Sequence, residues 1–91
     1  IHGLVGPDSV VVDAGANIGN HTVYFALVCG ARLVHAFEPM RVAFATLTRN
    51  VALNGLADRV VAHNAAVGAR AGTAELRRYV EHNTGGTVLR L

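Results

Sequence analysis

The residues whose types and spacing suit chemistry gather first in VVVDAGANIGNHT, positions 10–22. An acid, Asp13, is followed by Gly15, Asn17 and Gly19 at alternate positions. Glycines placed like this let the main chain turn tightly and come close to a ligand. The N–H groups that open a following helix add donors and partial positive charge. A second acid, Glu38, ends the stretch RLVHAFE, 19 residues after Gly19. A carboxylate there can accept hydrogen bonds from the 2′- and 3′-hydroxyls of a ribose. Loop and spaced acid together point to a cofactor that contains a nucleoside.

The loop also discriminates among such cofactors. A dinucleotide fingerprint, G-x-G-x-x-G, would place glycines at 15, 17 and 20, where this chain has Gly15, Asn17 and Asn20. The second glycine is the one that admits pyrophosphate, so Asn17 argues against NAD. Glu38 would repel a 2′-phosphate and argues against NADP. An acid before the glycines suits a ribose-containing cofactor with a charged amino-acid tail, as in S-adenosylmethionine. A plainer reading makes Gly15 and Gly19 a tight turn and Asp13 a helix-capping residue; Glu38, correctly spaced, favours the ligand.

The elements that must position these residues follow from pattern and punctuation. GPDS (6–9) is turn chemistry. Val10 to Asp13 reads as a strand apolar on both faces, suited to the centre of a parallel sheet. Ile18 to Cys29 is long enough for a helix, which Gly30 stops. Arg32 to Glu38 is a second strand. Pro39 opens a helix in which Phe44, Leu47 and Val51 recur at helical spacing, and Asn54-Gly55 closes it. Arg59 to Val67 is a third strand and its exit, Gly72 to Val80 a fourth nearer an edge, and Asn83 to Thr87 a loop. The order β-α-β-α-β-β implies an α/β fold: the N-terminal half of a Rossmann-like parallel sheet with right-handed crossovers.

Composition bounds the function classes. The chain has 91 residues, 52% hydrophobic and 15% charged, enough for one small globular domain at most. No apolar run approaches the roughly 18 residues of a membrane span, and no secretion signal is visible. Cys29 is the lone cysteine, which excludes a disulfide framework, makes a buried structural thiol the expectation and a cytoplasmic setting the default. Net charge is +2, and all eight basic residues are arginines, scattered with no block longer than Arg77-Arg78. That is a poor electrostatic footprint for nucleic acid.

VVVDAGANIGNHTVYFA, VHAFEP, LTRNVALNGLADRV and AAVGARAGTAEL together resemble the FkbM family of S-adenosylmethionine-dependent methyltransferases. The resemblance covers most of the chain, and D-x-G-A-N-I-G followed by F-E-P is its most specific part. It implies a class I methyltransferase fold and transfer of a methyl group to a hydroxyl oxygen of a small molecule or sugar. It also implies that Asp13, Gly15, Asn17 and Gly19 hold the methionine end and Glu38 the ribose. The exit of the third strand, Asn64 to Ala66, would border the adenine. Many methyltransferases place an Asp there; here Asn64 would supply a carbonyl, or the main chain near Ala65 a contact.

In the class I order, the strand flanking Val10–Val12 opposite the second strand comes after the third helix, past Leu91. The chain is therefore expected to be the N-terminal part of a larger domain, with one edge of its first strand unpaired and little stability or activity by itself. Two other functions stay open. An RNA base methyltransferase is one, since RNVALNGLADRV has counterparts in some tRNA enzymes; a non-catalytic cofactor-binding fragment is the other. Sequence downstream of Leu91 separates the three.

Other polar residues are weighed more plainly. His21 lies in the first turn of the predicted helix, where a positive helix end disfavours its protonation and suits a base, but packing or exposure is the commoner fate. His35 reads as structural. His2, His63 and His82 have no His, Cys or acidic partner at ligand spacing, so no metal site is expected. Asn50 is placed to orient a loop and Asn54 to end a helix, while Asn83-Thr84-Gly85-Gly86 resembles a polar loop at the corresponding point in the family, a resemblance that implies contact with substrate.

Overall fold

The computed structural model describes residues 5–67, 79–83 and 86–90. The chain runs β1 (Val10–Ala14), α1 (Asn20–Val23, continued by a π-helical turn Tyr24–Val28), β2 (Leu33–Phe37), α2 (Arg41–Leu53), β3 (Val60–His63), β4 (Tyr79–Asn83) and β5 (Gly86–Arg90).

β1, β2 and β3 form the expected parallel unit. Val11 pairs with Val34, and Val34 with Val60. Because side chains alternate across a strand, this register lines Val11 and Asp13 of β1 up with Val34 and Ala36 of β2 and Val60 and Ala62 of β3. That face carries the core. Phe25, Leu47, Leu56, Val11 and Val34 are its largest wholly enclosed apolar side chains, and Cys29 is buried with them. Val10, Val12, Leu33, His35, Phe37, Val61 and His63 line the opposite face.

The helices end where the chemistry predicts, while α2 begins at Arg41, two residues after Pro39. Gly30 (φ 71°) and Gly55 (φ 66°) take the left-handed conformation that stops a helix. Asn54 is the C-cap of α2, its side-chain amide donating to the carbonyl of Asn50 at 2.8 Å. The first helix is shorter and less regular than the expected span from Ile18 to Cys29. Ile18 belongs to the loop, and the final turn is π-helical, with the Cys29 N–H reaching back five residues to the Tyr24 carbonyl at 3.1 Å. Leu27 and Val28 then face outward while Phe25, Ala26 and Cys29 stay in the core.

Two expectations need correction. The edge of β1 opposite β2 is paired: β5 lies along it antiparallel, Val12 opposite Leu89, giving the sheet order β3-β2-β1-β5-β4. A central strand with bare N–H and C=O groups along one side is costly, and the antiparallel hairpin of β4 and β5 supplies the partner from within the chain. Of the expected loop 83–87, Asn83 instead ends β4 and pairs with Gly86, which with Thr87 begins β5, while Thr84 and Gly85 lie outside the described residues. Of the expected fourth strand, 72–80, only Tyr79 and Val80 fall in the described residues, where they open β4.

Candidate functional site

The loop after β1 and the end of β2 are built against each other. The N–H groups of Gly15 and Ala16 both donate to the Phe37 carbonyl at 2.9 Å, and the Asn17 N–H donates to Glu38 Oε1 at 2.6 Å. Three successive amides of the loop are thus bound to the tip of β2. Gly15 (φ 75°) and Asn17 (φ 57°) both lie in the left-handed region. Asn is among the few side chains that tolerate it, which accounts for an Asn where a dinucleotide loop would need Gly.

Gly19 serves a packing need. At φ +100°, a Cβ there would stand 2.8 Å from Leu47 Cδ1, so α2 crosses directly behind the loop. Asn50, further along α2, donates its side-chain amide to the Ile18 carbonyl at 2.7 Å. The loop is held from behind by α2, as expected for Asn50, and from the side by β2.

Glu38 is 5% exposed and joins all three strand ends. Its Oε1 takes the Asn17 N–H, and its Oε2 the Met40 N–H at 2.9 Å. Its own N–H donates to the His63 carbonyl, and its carbonyl receives the Asn64 side-chain amide at 2.9 Å. The same Asn64 amide reaches the Pro39 carbonyl at 3.1 Å. Carbonyls only accept, so both contacts must come from Nδ2, and Oδ1 of Asn64 is left as an acceptor. Ala65 follows, exposed.

Asp13 is wholly enclosed. Its Oδ2 accepts the Thr22 hydroxyl at 2.7 Å, and its Oδ1 has no partner. Burial pushes its carboxyl above the usual range, opposed by the Thr22 hydrogen bond and by His21, while Glu38 adds to the rise. Thr22, also wholly buried, has no assigned role in the sequence reading. Its signal was a polar residue on the stripe Thr22, Phe25, Ala26, Cys29, where a buried hydroxyl must find an acceptor. The structure thus gathers Asp13, Gly15, Asn17, Glu38 and Asn64 around the carboxyl ends of β1–β3 and sets Gly19 behind them.

On the opposite face of the sheet, parallel register brings together two histidines far apart in sequence. His35 Nδ1 lies 3.2 Å from His63 Nε2, and the His63 ring stacks on Phe37 at 4.3 Å between centroids. The partner stands 28 positions away in sequence, outside the ligand spacing considered for His63. Burial, and then the neighbouring His63, holds His35 below the usual imidazole range. Among the described residues, no three His, Cys, Asp or Glu side chains gather as a metal site, and no helix is long and apolar enough to cross a membrane.

No protein-family model matches the chain. It is 39% identical over 66 residues to methyltransferase sdnD of Sordaria araneosa, covering 72% of this chain and 26% of that protein. It is 39% identical over 61 residues to methyltransferase 1 of Beauveria bassiana, covering 67% and 24%. It is 43% identical over 60 residues to the 31-O-demethyl-FK506 methyltransferase FkbM of Streptomyces tacrolimicus, covering 65% and 23%. The chain therefore spans about a quarter of the length of these relatives. Among solved structures, TYW2 of M. jannaschii in complex with AdoMet matches with a TM-score of 0.65 and 33% identity, over 70% of this chain and 29% of that one. TYW2 of P. horikoshii in complex with MeSAdo matches with a TM-score of 0.66 and 34% identity, over 71% and 24%. The fold is the Rossmann-like fold of these proteins, and the resemblance to FkbM-type methyltransferases holds at the level of sequence.

Proposed function

We infer from this kinship with methyltransferases, FkbM among them, that the chain is the S-adenosylmethionine-binding part of a longer methyltransferase acting on a hydroxyl oxygen of a small molecule or sugar. The observation that carries the reading is the seat of Glu38. Each of its carboxylate oxygens takes one main-chain N–H, and each oxygen keeps a further lone pair. Two adjacent ribose hydroxyls match two such acceptors held in fixed orientation.

The remaining residues suit the same ligand. Oδ1 of Asn64, freed by the two bonds of its amide, can accept from the amino group of adenine, and Ala65 beside it leaves room. Asp13 contributes negative charge beneath the loop for the α-ammonium group of the amino-acid end. Gly15 and Asn17 shape the loop, and Gly19 lets α2 support it. Bound S-adenosylmethionine supplies an electrophilic methyl on a sulfonium. The chain's own task is then to hold and align that group, which can carry much of the rate.

A hydroxyl acceptor is favoured by the relative that acts on 31-O-demethyl-FK506, and scattered arginines do not favour RNA. The full-length protein, offered radiolabelled S-adenosylmethionine with a hydroxylated macrolide or sugar and separately with tRNA, tests the acceptor. Label in the small molecule supports the reading; label in tRNA alone contradicts it.

A further inference from the structure

Four polar or charged residues are buried among those described: Ser9, Asp13, Thr22 and Glu38. Ser9 closes its own turn by accepting the Gly6 N–H, and Glu38 has the place argued above. We propose that Thr22 is a positioning residue of the cofactor site: its hydroxyl holds Asp13 through Oδ2 and leaves Oδ1 to be compensated by the α-ammonium group of the cofactor. The proposal rests on the S-adenosylmethionine reading above.

The hydroxyl has one proton to give, and it is committed at 2.7 Å to Oδ2. The bond ties the end of β1 to the first turn of α1 across the whole glycine loop. Oδ1 is enclosed without a donor. A buried acceptor left like this is costly, and a positive group seated on the loop relieves the cost by acting on the ionised carboxyl. Both partners are wholly enclosed, so bulk water offers no substitute for the hydroxyl.

The pairing has a consequence that simple packing lacks. Burial favours the neutral carboxyl of Asp13, and the Thr22 hydroxyl favours the ionised one. The α-ammonium group that S-adenosylmethionine and S-adenosylhomocysteine share also favours the ionised form, so binding tightens as pH rises through the raised Asp13 value and then levels off. Among the described residues, His21 and Glu38 are the other charged groups acting on Asp13. Both remain in every Thr22 variant, so differences between variants report the hydroxyl.

The test is S-adenosylhomocysteine affinity of the full-length protein from roughly pH 4 to 8, for wild type, Thr22→Ser and Thr22→Val. Thr22→Val should move the midpoint up by about one pH unit and weaken binding below it on the order of tenfold. Thr22→Ser, which keeps the hydroxyl, should follow wild type. An unmoved midpoint in Thr22→Val, or a Thr22→Ser curve shifted as far, overturns the proposal while leaving the cofactor reading intact. No binding by wild type at any pH overturns the cofactor reading, and the proposal with it. Thr22→Ala accompanies Thr22→Val in case the extra methyl prevents folding. If both are destabilised at neutral pH, their deficit in denaturant midpoint against wild type should narrow as pH is lowered and Asp13 protonates, and a deficit that does not narrow contradicts the proposal.

Discussion

Glu38, at the tip of β2, accepts the main-chain N–H of Asn17, in the loop after β1, at 2.6 Å across 21 positions of sequence. With the second bond from the Met40 N–H, the carboxylate is both a strut between two strand ends and the proposed seat of the ribose. Glu38→Ala should weaken S-adenosylhomocysteine binding on the order of 10- to 100-fold, matching roughly 1.5–3 kcal/mol for charge-assisted bonds. Glu38→Gln cannot copy the strut. Its single oxygen serves one N–H, and its NH2 is turned against the other. Urea unfolding should show a loss of about 1–3 kcal/mol for Glu38→Gln. Wild-type stability in that variant would show that the two bonds do not act together.

Gly19→Ala should destabilise the fold. The left-handed backbone costs a side chain roughly 1–2 kcal/mol, and the new methyl meets the wholly buried Leu47. Gly19→Ala combined with Leu47→Ala should be less than additive in denaturant unfolding, because the second change removes the obstruction. Strict additivity would contradict the close approach.

Asn64→Asp offers the acid that many methyltransferases carry at this point, yet it should impair binding here. The substitution removes the amide that holds the Glu38 and Pro39 carbonyls and sets a negative charge against both. S-adenosylhomocysteine affinity should fall, and more than in Asn64→Ala, which merely loses the bonds at about 0.5–1.5 kcal/mol each. Improved affinity in Asn64→Asp would mean that Asn64 does not brace the loop.

The lowered His35 value predicts a pH dependence of stability. His35 is held below its ordinary value of 6.5 in the folded chain, so between the two values the unfolded chain binds more protons. Stability from this group is present above the ordinary imidazole range and lost as pH falls through the window below it. Denaturant midpoints recorded from roughly pH 7 down to 5 should fall, and His35→Phe should flatten the decline. An equal decline in His35→Phe would place the titrating group elsewhere.

The parts of the site that rest on local chemistry were legible in the sequence. Asp13, the loop and Glu38 announce themselves by residue type and spacing, and Gly30 and Asn54-Gly55 mark their helix ends. What depends on how strands align was not legible. His35 and His63 meet only because β2 and β3 pair in one register, which neither strand states alone. β5 beside β1 was missed for a related reason: NTGGT reads as a loop, while the demand for a partner arises from the bare edge of β1, far away in sequence. The packing need at Gly19 was not legible either, because the approach of Leu47 is a matter of how α2 crosses the loop. Thr22 was visible as a polar residue in an apolar stripe, but its acceptor nine residues earlier appears only once the chain has turned.

The central claim is that these strand ends receive S-adenosylmethionine rather than a dinucleotide. Calorimetric titration of the full-length protein with S-adenosylhomocysteine and, separately, with NADH tests it most directly. Saturable binding of S-adenosylhomocysteine is expected, weakened in Glu38→Ala, with NADH weaker or silent. Tighter binding of NADH, or S-adenosylhomocysteine binding within twofold of wild type in Glu38→Ala, would contradict it.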